Sequence, residues 1–141
     1  MIWKNKFDVD ILNNISRDTM VQHLGIRFTE VGDDYLVATM PVDQRTVQPM
    51  RLLHGGASVT LAETLGSVAS YACIDPDRYN VVGIEVNANH LKSVREGSTD
   101  VKGKVTHIKL GKRMHVWNIE ISDSEGNTVC VSRLTTMIIP K

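Results

Sequence analysis

Hydrophobic side chains recur along this chain with two periods, and the change of period divides it into elements. Near the start, Asp8 or Asp10 can cap a short helix carrying Ile11, Leu12 and Ile15, with a further turn near Met20 to Leu24 that Gly25 ends. Ile26 to Val31 and Tyr35 to Met40 read as two strands around the turn Gly32-Asp33-Asp34, and Pro41 closes the pair. Residues 42–53 form a connection containing Gln48-Pro49. The period then changes to that of a helix, from about Gly55 to Cys73, with Ala57, Leu61, Leu65, Val68 and Ala72 on one stripe and Glu63, Ser67 and Ser70 on another.

After the break at Asp75-Pro76-Asp77 the alternation is that of strands. In Val81 to Lys92, Val82, Ile84, Val86 and Ala88 occupy one face, which predicts a half-buried strand. Val101 to Leu110 changes phase near His107, where a bulge is expected, and Arg113 to Ser122 follows Gly111. The turn Asp123 to Asn127 leads into a last strand, Thr128 to Ile139. Helix, two strands, one long helix and four strands make an α+β chain, and an antiparallel sheet wrapped round the long helix buries both. No repeat, linker or low-complexity tract interrupts residues 1–141, which read as one folding unit.

The long helix carries the first chemical signal. Between Leu52 and Ile74 the sequence is LLHGGASVTLAETLGSVASYACI, in which Glu63 is the one formally charged side chain. A helix of this composition is expected to be buried along most of its length, and an ionised carboxylate buried without a partner is costly unless it serves a reaction. The competing explanation is a structural ion pair with an Arg or Lys from elsewhere in the chain. Just before the helix, His54-Gly55-Gly56 leaves backbone N–H groups at a helix start, where a ligand can approach closely. His54 can act chemically or simply hold a backbone group, and Ser58 and Ser67 can bond back to the preceding helical turn.

Composition narrows the field by exclusion. Sixteen basic and sixteen acidic residues in 141 give no net charge, and seven aromatics (two Trp, three Tyr, two Phe) offer little stacking surface, so a nucleic-acid partner is not expected. The five histidines contain no H-x-x-x-H pair and the two cysteines are isolated, so neither a metal nor a cofactor is implied. G-x-S-x-G, G-x-G-x-x-G and the P-loop pattern are all absent. The charged opening MIWKNKFDVD lacks a signal-peptide core, and Glu63 interrupts the only long apolar run, so a cytoplasmic protein without a membrane partner is expected. Its thiols should then be reduced.

The residues taken together resemble a family. Gln48-Pro49, Leu53-His54-Gly55-Gly56-Ala57 and Glu63 eight residues after Gly55, continued by Val82-Gly83-Ile84-Glu85, Asn87 to His90, Arg95-Glu96-Gly97 and Ser132 to Thr136, are similar to the hotdog-fold acyl-CoA thioesterases related to the 4-hydroxybenzoyl-CoA and phenylacetyl-CoA enzymes. Met1 to Lys4 and Ala38 to Asp43 are closer still to the branch acting on 1,4-dihydroxy-2-naphthoyl-CoA in menaquinone synthesis and to its enterobactin-proofreading relatives. The resemblance implies a hotdog fold and hydrolysis of an aromatic acyl-CoA. Other acyl-CoA or carrier-protein thioesters, or acyl-CoA binding without catalysis, are the alternatives.

It also implies roles. Gly55 N–H would stabilise the oxyanion of the attacked thioester. Glu63, two turns on, would attack the carbonyl or deprotonate a water, with Gln48, His54 and Ser67 positioning the reacting groups. Gly83, His90, Leu91, Lys92, Ser93 and the turn Lys109, Leu110, Gly111, Lys112, Arg113, Met114 would hold CoA. Two protomers would share each site, Glu63 coming from one and Gln48 or His54 from the other, and a homotetramer would form from two such dimers.

Overall fold

The computed structural model describes residues 1–141 throughout. Two short helices, α1 (Val9–Ile15) and α2 (Met20–His23), precede β1 (Arg27–Val31) and β2 (Tyr35–Met40). The long helix α3 (Gly55–Ala72) follows a connecting loop, and β3 (Tyr79–His90), β4 (Val101–Leu110), β5 (Met114–Ser122) and β6 (Thr128–Pro140) complete the chain. Asp8 is the residue that caps α1, its Oδ1 accepting the Ile11 N–H at 2.8 Å.

The six strands form one antiparallel sheet in the order β1-β2-β4-β5-β6-β3. Helix α3 packs across one face of it, against β2 to β6, which gives the expected hotdog arrangement. Leu61 and Leu65 of the helix join Leu36, Val101, Trp117, Ile119, Ile121 and Leu134 of the strands in a core of 22 buried residues. Cutting such a leucine to alanine costs about 2–5 kcal/mol. At Gly66 the helix presses onto the sheet: a Cβ there would lie 2.5 Å from Leu134 Cδ2. Ser70, expected on the face with Glu63, is instead buried, taking the Trp117 Nε1–H at 2.5 Å and bonding Thr136 Oγ1 at 2.7 Å and His115 Nδ1 at 3.2 Å.

The segment before α1 straps the far end of α3. Lys4 N–H and Asn5 N–H both donate to Ala72 O, at 2.8 and 3.3 Å, and the Asn5 side-chain amide donates to Tyr71 O and Ile74 O, each at 3.1 Å. Trp3 Nε1 anchors the strap on Gly32 O at 2.7 Å. The last carbonyls of α3, which no helical N–H can reach, are thereby supplied with donors.

The bulge expected near His107 is present, as a register shift between His107 and Lys109. A second one, between Gly83 and Glu85, changes the reading of β3. Val82 and Ile84, expected on a half-buried face with Val86 and Ala88, are 42% and 47% exposed while the latter two pack on the core. The inserted residue breaks the two-residue alternation, and β3 is an edge strand with no neighbour on its outer side. No helix is long and apolar enough to cross a membrane. Cys73 and Cys130 are buried free thiols, and burial pushes the Cys73 thiol up to about 11.

Candidate active site

Helix α3 is two-faced. Ala57, Leu61, Ala62, Leu65, Ala69 and Ala72 are buried, whereas Gly56, Glu63 and Tyr71 are exposed and Thr60, Thr64 and Ser67 are partly so. The expectation that Glu63 is buried is therefore incorrect for the protomer. Small and hydroxyl side chains made the whole helix resemble core, yet only one side of it meets the sheet. What survives is the absence of an ion pair: the salt bridges are Arg45–Asp43, Arg51–Glu96 and Lys92–Asp123, and none involves Glu63. The structural explanation for a lone carboxylate fails within the chain. Its Oε1 rests over Gly83 at the β3 bulge, 2.8 Å from where a Cβ of that residue would be.

The start of α3 is arranged around one unused donor. His54 is the cap, its Nδ1 accepting the Gly56 N–H at 2.8 Å, and its carbonyl accepts from Ala57 at 3.0 Å and Ser58 at 3.3 Å. Of the four opening N–H groups, Gly55 alone has no acceptor in the chain. The cap also fixes the neutral tautomer of His54, since an Nδ1 that accepts leaves the proton on Nε2. Gly55 has no side chain to cover its N–H, and the ring of His90 occupies that space, with Nε2 2.8 Å from a would-be Cβ.

Gln48 is held by its own turn. Its N–H donates to Leu52 O at 2.9 Å, its carbonyl accepts from Arg51 at 2.8 Å, and its Oε1 accepts the Met50 N–H. With the oxygen so engaged, the Nε2 group of the amide makes no hydrogen bond within the chain. Gln48, Gly55, His90, Leu91, Lys92 and Ser93 line one groove of about 370 Å³ together with Leu52, Leu53, Ser58 and Val129. Six residues singled out from the sequence thus meet within a chain.

Others do not join them. Glu63 follows Gly55 by eight helical residues, about 12 Å along the axis, so a carbonyl bound at Gly55 lies beyond its own chain's Glu63. Ser67 is a turn further still. Gly83 sits beneath Glu63 rather than in the groove. The Lys109 to Met114 turn is exposed at the end of the sheet where Met114 and Val82 both face Met137, whereas His90 faces Cys130, roughly 25 Å along the strand. Lys92 is already engaged, its Nζ 2.5 Å from Asp123 Oδ2. That ammonium, with the Asn127 amide, holds the Asp123 carboxyl far below the usual carboxylate range. Asp123 was not singled out from the sequence, because 31 residues separate it from Lys92 and only folding brings them together.

An open groove with an unbonded N–H at a helix start thus lies on a hotdog scaffold. Residues 50–130 match the thioesterase superfamily, and the chain belongs to it. It is 54% identical over 139 residues to 1,4-dihydroxy-2-naphthoyl-CoA hydrolase of Escherichia coli, covering 99% of this chain and 100% of that protein. The proofreading thioesterase EntH of Cronobacter sakazakii is 50% identical, again over 139 residues, with 99% of each covered. A crystal structure of a thioesterase from Pseudomonas aeruginosa superposes with a TM-score of 0.96 at 46% identity over all of both chains.

Proposed function

We propose that this thioesterase hydrolyses 1,4-dihydroxy-2-naphthoyl-CoA, releasing the free acid and CoA for menaquinone assembly. The single unbonded N–H of Gly55 in a groove shared with Gln48 and His90 carries the reading of thioester hydrolysis, and the 54% identity to the Escherichia coli hydrolase supports the choice of acyl group. Charge develops on the thioester oxygen as the carbonyl is attacked, and a fixed N–H at the positive end of a helix stabilises it with no reorganisation. The Gln48 amide orients the attacking group, and the Nε2–H of His54 is a further donor at the same helix start. Glu63 either attacks the carbon to form an acyl anhydride that water then cleaves, or takes a proton from the attacking water. In both routes the sulfur leaves as the CoA thiol.

The 12 Å between Gly55 and Glu63 within a chain is the reason we read the site as shared. The exposed edge of β3 and the open side of α3 are the surfaces through which a second protomer brings its Glu63 to this protomer's groove. The same pairing carries the Lys109 to Met114 turn of one chain toward the CoA held by the other. A dimer is the unit of activity in this reading, and two dimers form a homotetramer. CoA thioesters are made and used in the cytoplasm, and the enzyme belongs there.

Thiol release across aromatic and aliphatic acyl-CoAs tests the proposal. The dihydroxynaphthoyl thioester should give the highest kcat/KM, and Glu63→Ala should lower kcat on the order of a thousandfold, the scale of acid–base and nucleophilic groups. A preference for aliphatic chains, or full turnover by Glu63→Ala, would overturn it.

A further inference from the structure

The loop that carries Gln48 is built on an awkward residue. Arg51 holds φ at +61°, a left-handed conformation that side-chain-bearing residues rarely adopt. It does so at the closing position of the Gln48-Pro49-Met50-Arg51 turn, where its N–H meets Gln48 O at 2.8 Å. An asparagine or glycine would fit that backbone with less strain. What arginine supplies is reach. Its Nε donates to Glu96 Oε2 at 2.8 Å and its Nη2 to Glu96 Oε1 at 2.6 Å, a two-pronged contact across 45 residues.

The backbones are joined at the same place. Glu96 N–H donates to Arg51 O at 3.0 Å, Leu52 bridges Arg95, and Leu53 N–H donates to Val94 O at 2.8 Å. The Gln48 side chain belongs to the same unit, because its Oε1 takes the N–H of Met50, the residue before Arg51. The ion pair is solvent-exposed, with 57% of the Arg51 and 29% of the Glu96 side chain accessible, so it adds little to fold stability. Its geometric effect is larger than its energetic one: a planar guanidinium gripped at two points fixes the direction of the turn and of the amide attached to it.

We propose that Arg51 and Glu96 are positioning residues for the reaction, acting through Gln48 by locking the turn that aims its amide. The inference rests on the hydrolase reading above and concerns a pair outside the lining of the groove that holds Gln48 and Gly55. Arg51→Gly removes the clamp while its backbone still accepts the left-handed φ, and Arg51→Asn, which also tolerates that φ, controls for the looser glycine backbone. Glu96→Gln removes the charge from the other side.

In steady-state thiol-release assays on the naphthoyl thioester, each should lower kcat about tenfold, the effect of sub-ångström misplacement, with KM within twofold and the melting temperature within a few degrees of wild type. The same substitutions made in Gln48→Ala should change kcat less than twofold, because the group they aim is gone. Unchanged kcat in the otherwise wild-type chain overturns the proposal, and so does an equal fall in both backgrounds, which would mean the pair acts elsewhere. Full turnover by Gln48→Ala alone would remove the role of Gln48 itself, an outcome distinguishable from failure of the clamp.

Discussion

Replacing Gly83 by alanine perturbs Glu63 without touching it chemically. The added methyl would lie 2.8 Å from Glu63 Oε1, against about 3.4 Å for an ordinary contact, so the carboxylate must recede by roughly 0.6 Å. The next nearest atoms, Glu63 Cδ and Leu134 Cδ1, are 3.7 Å away and need not move. Gly83 has no left-handed φ, and alanine in a strand is more stable than glycine by about 0.5–1 kcal/mol, so the fold should hold or strengthen. If a 1 Å error costs about a hundredfold, a displacement of roughly 0.6 Å costs between ten- and twentyfold in kcat. The measurement pairs thiol-release kinetics with thermal unfolding of the same preparation. Activity and stability should move in opposite directions. A kcat within twofold of wild type at an undiminished melting temperature would refute the reasoning, because the position of Oε1 over Gly83 would then be immaterial to the chemistry.

Three further outcomes are expected. Inactive Glu63→Ala and slowed Gln48→Ala chains, refolded together, should gain activity through hybrid sites beyond that of either alone, and no gain in verified mixed dimers would show that each site is built within one chain. Removing the charges at Lys112 and Arg113 should raise KM for the CoA thioester more than it lowers kcat, while a pantetheine thioester, lacking the nucleotide, should be insensitive. Burial and nearby Lys4 hold the His115 imidazole below its usual range, so the unfolded chain takes up the proton more readily. The stabilisation is complete above about pH 6.5 and is lost as the pH falls from there through the folded value. Melting temperatures of wild type and His115→Gln between pH 8 and 5 should diverge in slope only at the acid end.

The fold was largely legible because its elements carry strong periodicity. The α3 stripe, the Asp8 cap and the phase change at His107 all stand where local pattern indicates. Legibility ended where pattern describes composition and not neighbours. Ser67 and Ser70 are one side-chain type three residues apart, yet Ser70 is buried under Trp117 while Ser67 lies on the open face. Glu63 sits among residues typical of core on the side of the helix that this chain leaves uncovered. The Gly83 bulge reversed the faces of Val82 and Ile84, and a single glycine gives no warning of it. Within the candidate site, Gln48, Gly55 and His90 line one groove, but the engagement of Lys92 by Asp123 and of Arg51 by Glu96 is long-range geometry that no spacing in the sequence encodes.

The strap at the end of α3 has a consequence for the order in which the chain can fold. Asn5 leaves the ribosome some 66 residues ahead of Tyr71, whose carbonyl it serves. Until α3 has been made, the strap has nothing to hold, and closing a loop of that length costs several kcal/mol in chain entropy before any contact compensates. Docking of the strap is therefore a late event in synthesis. Growing chains halted before residue 72 should carry a protease-sensitive amino-terminal segment that becomes protected only once the helix is complete.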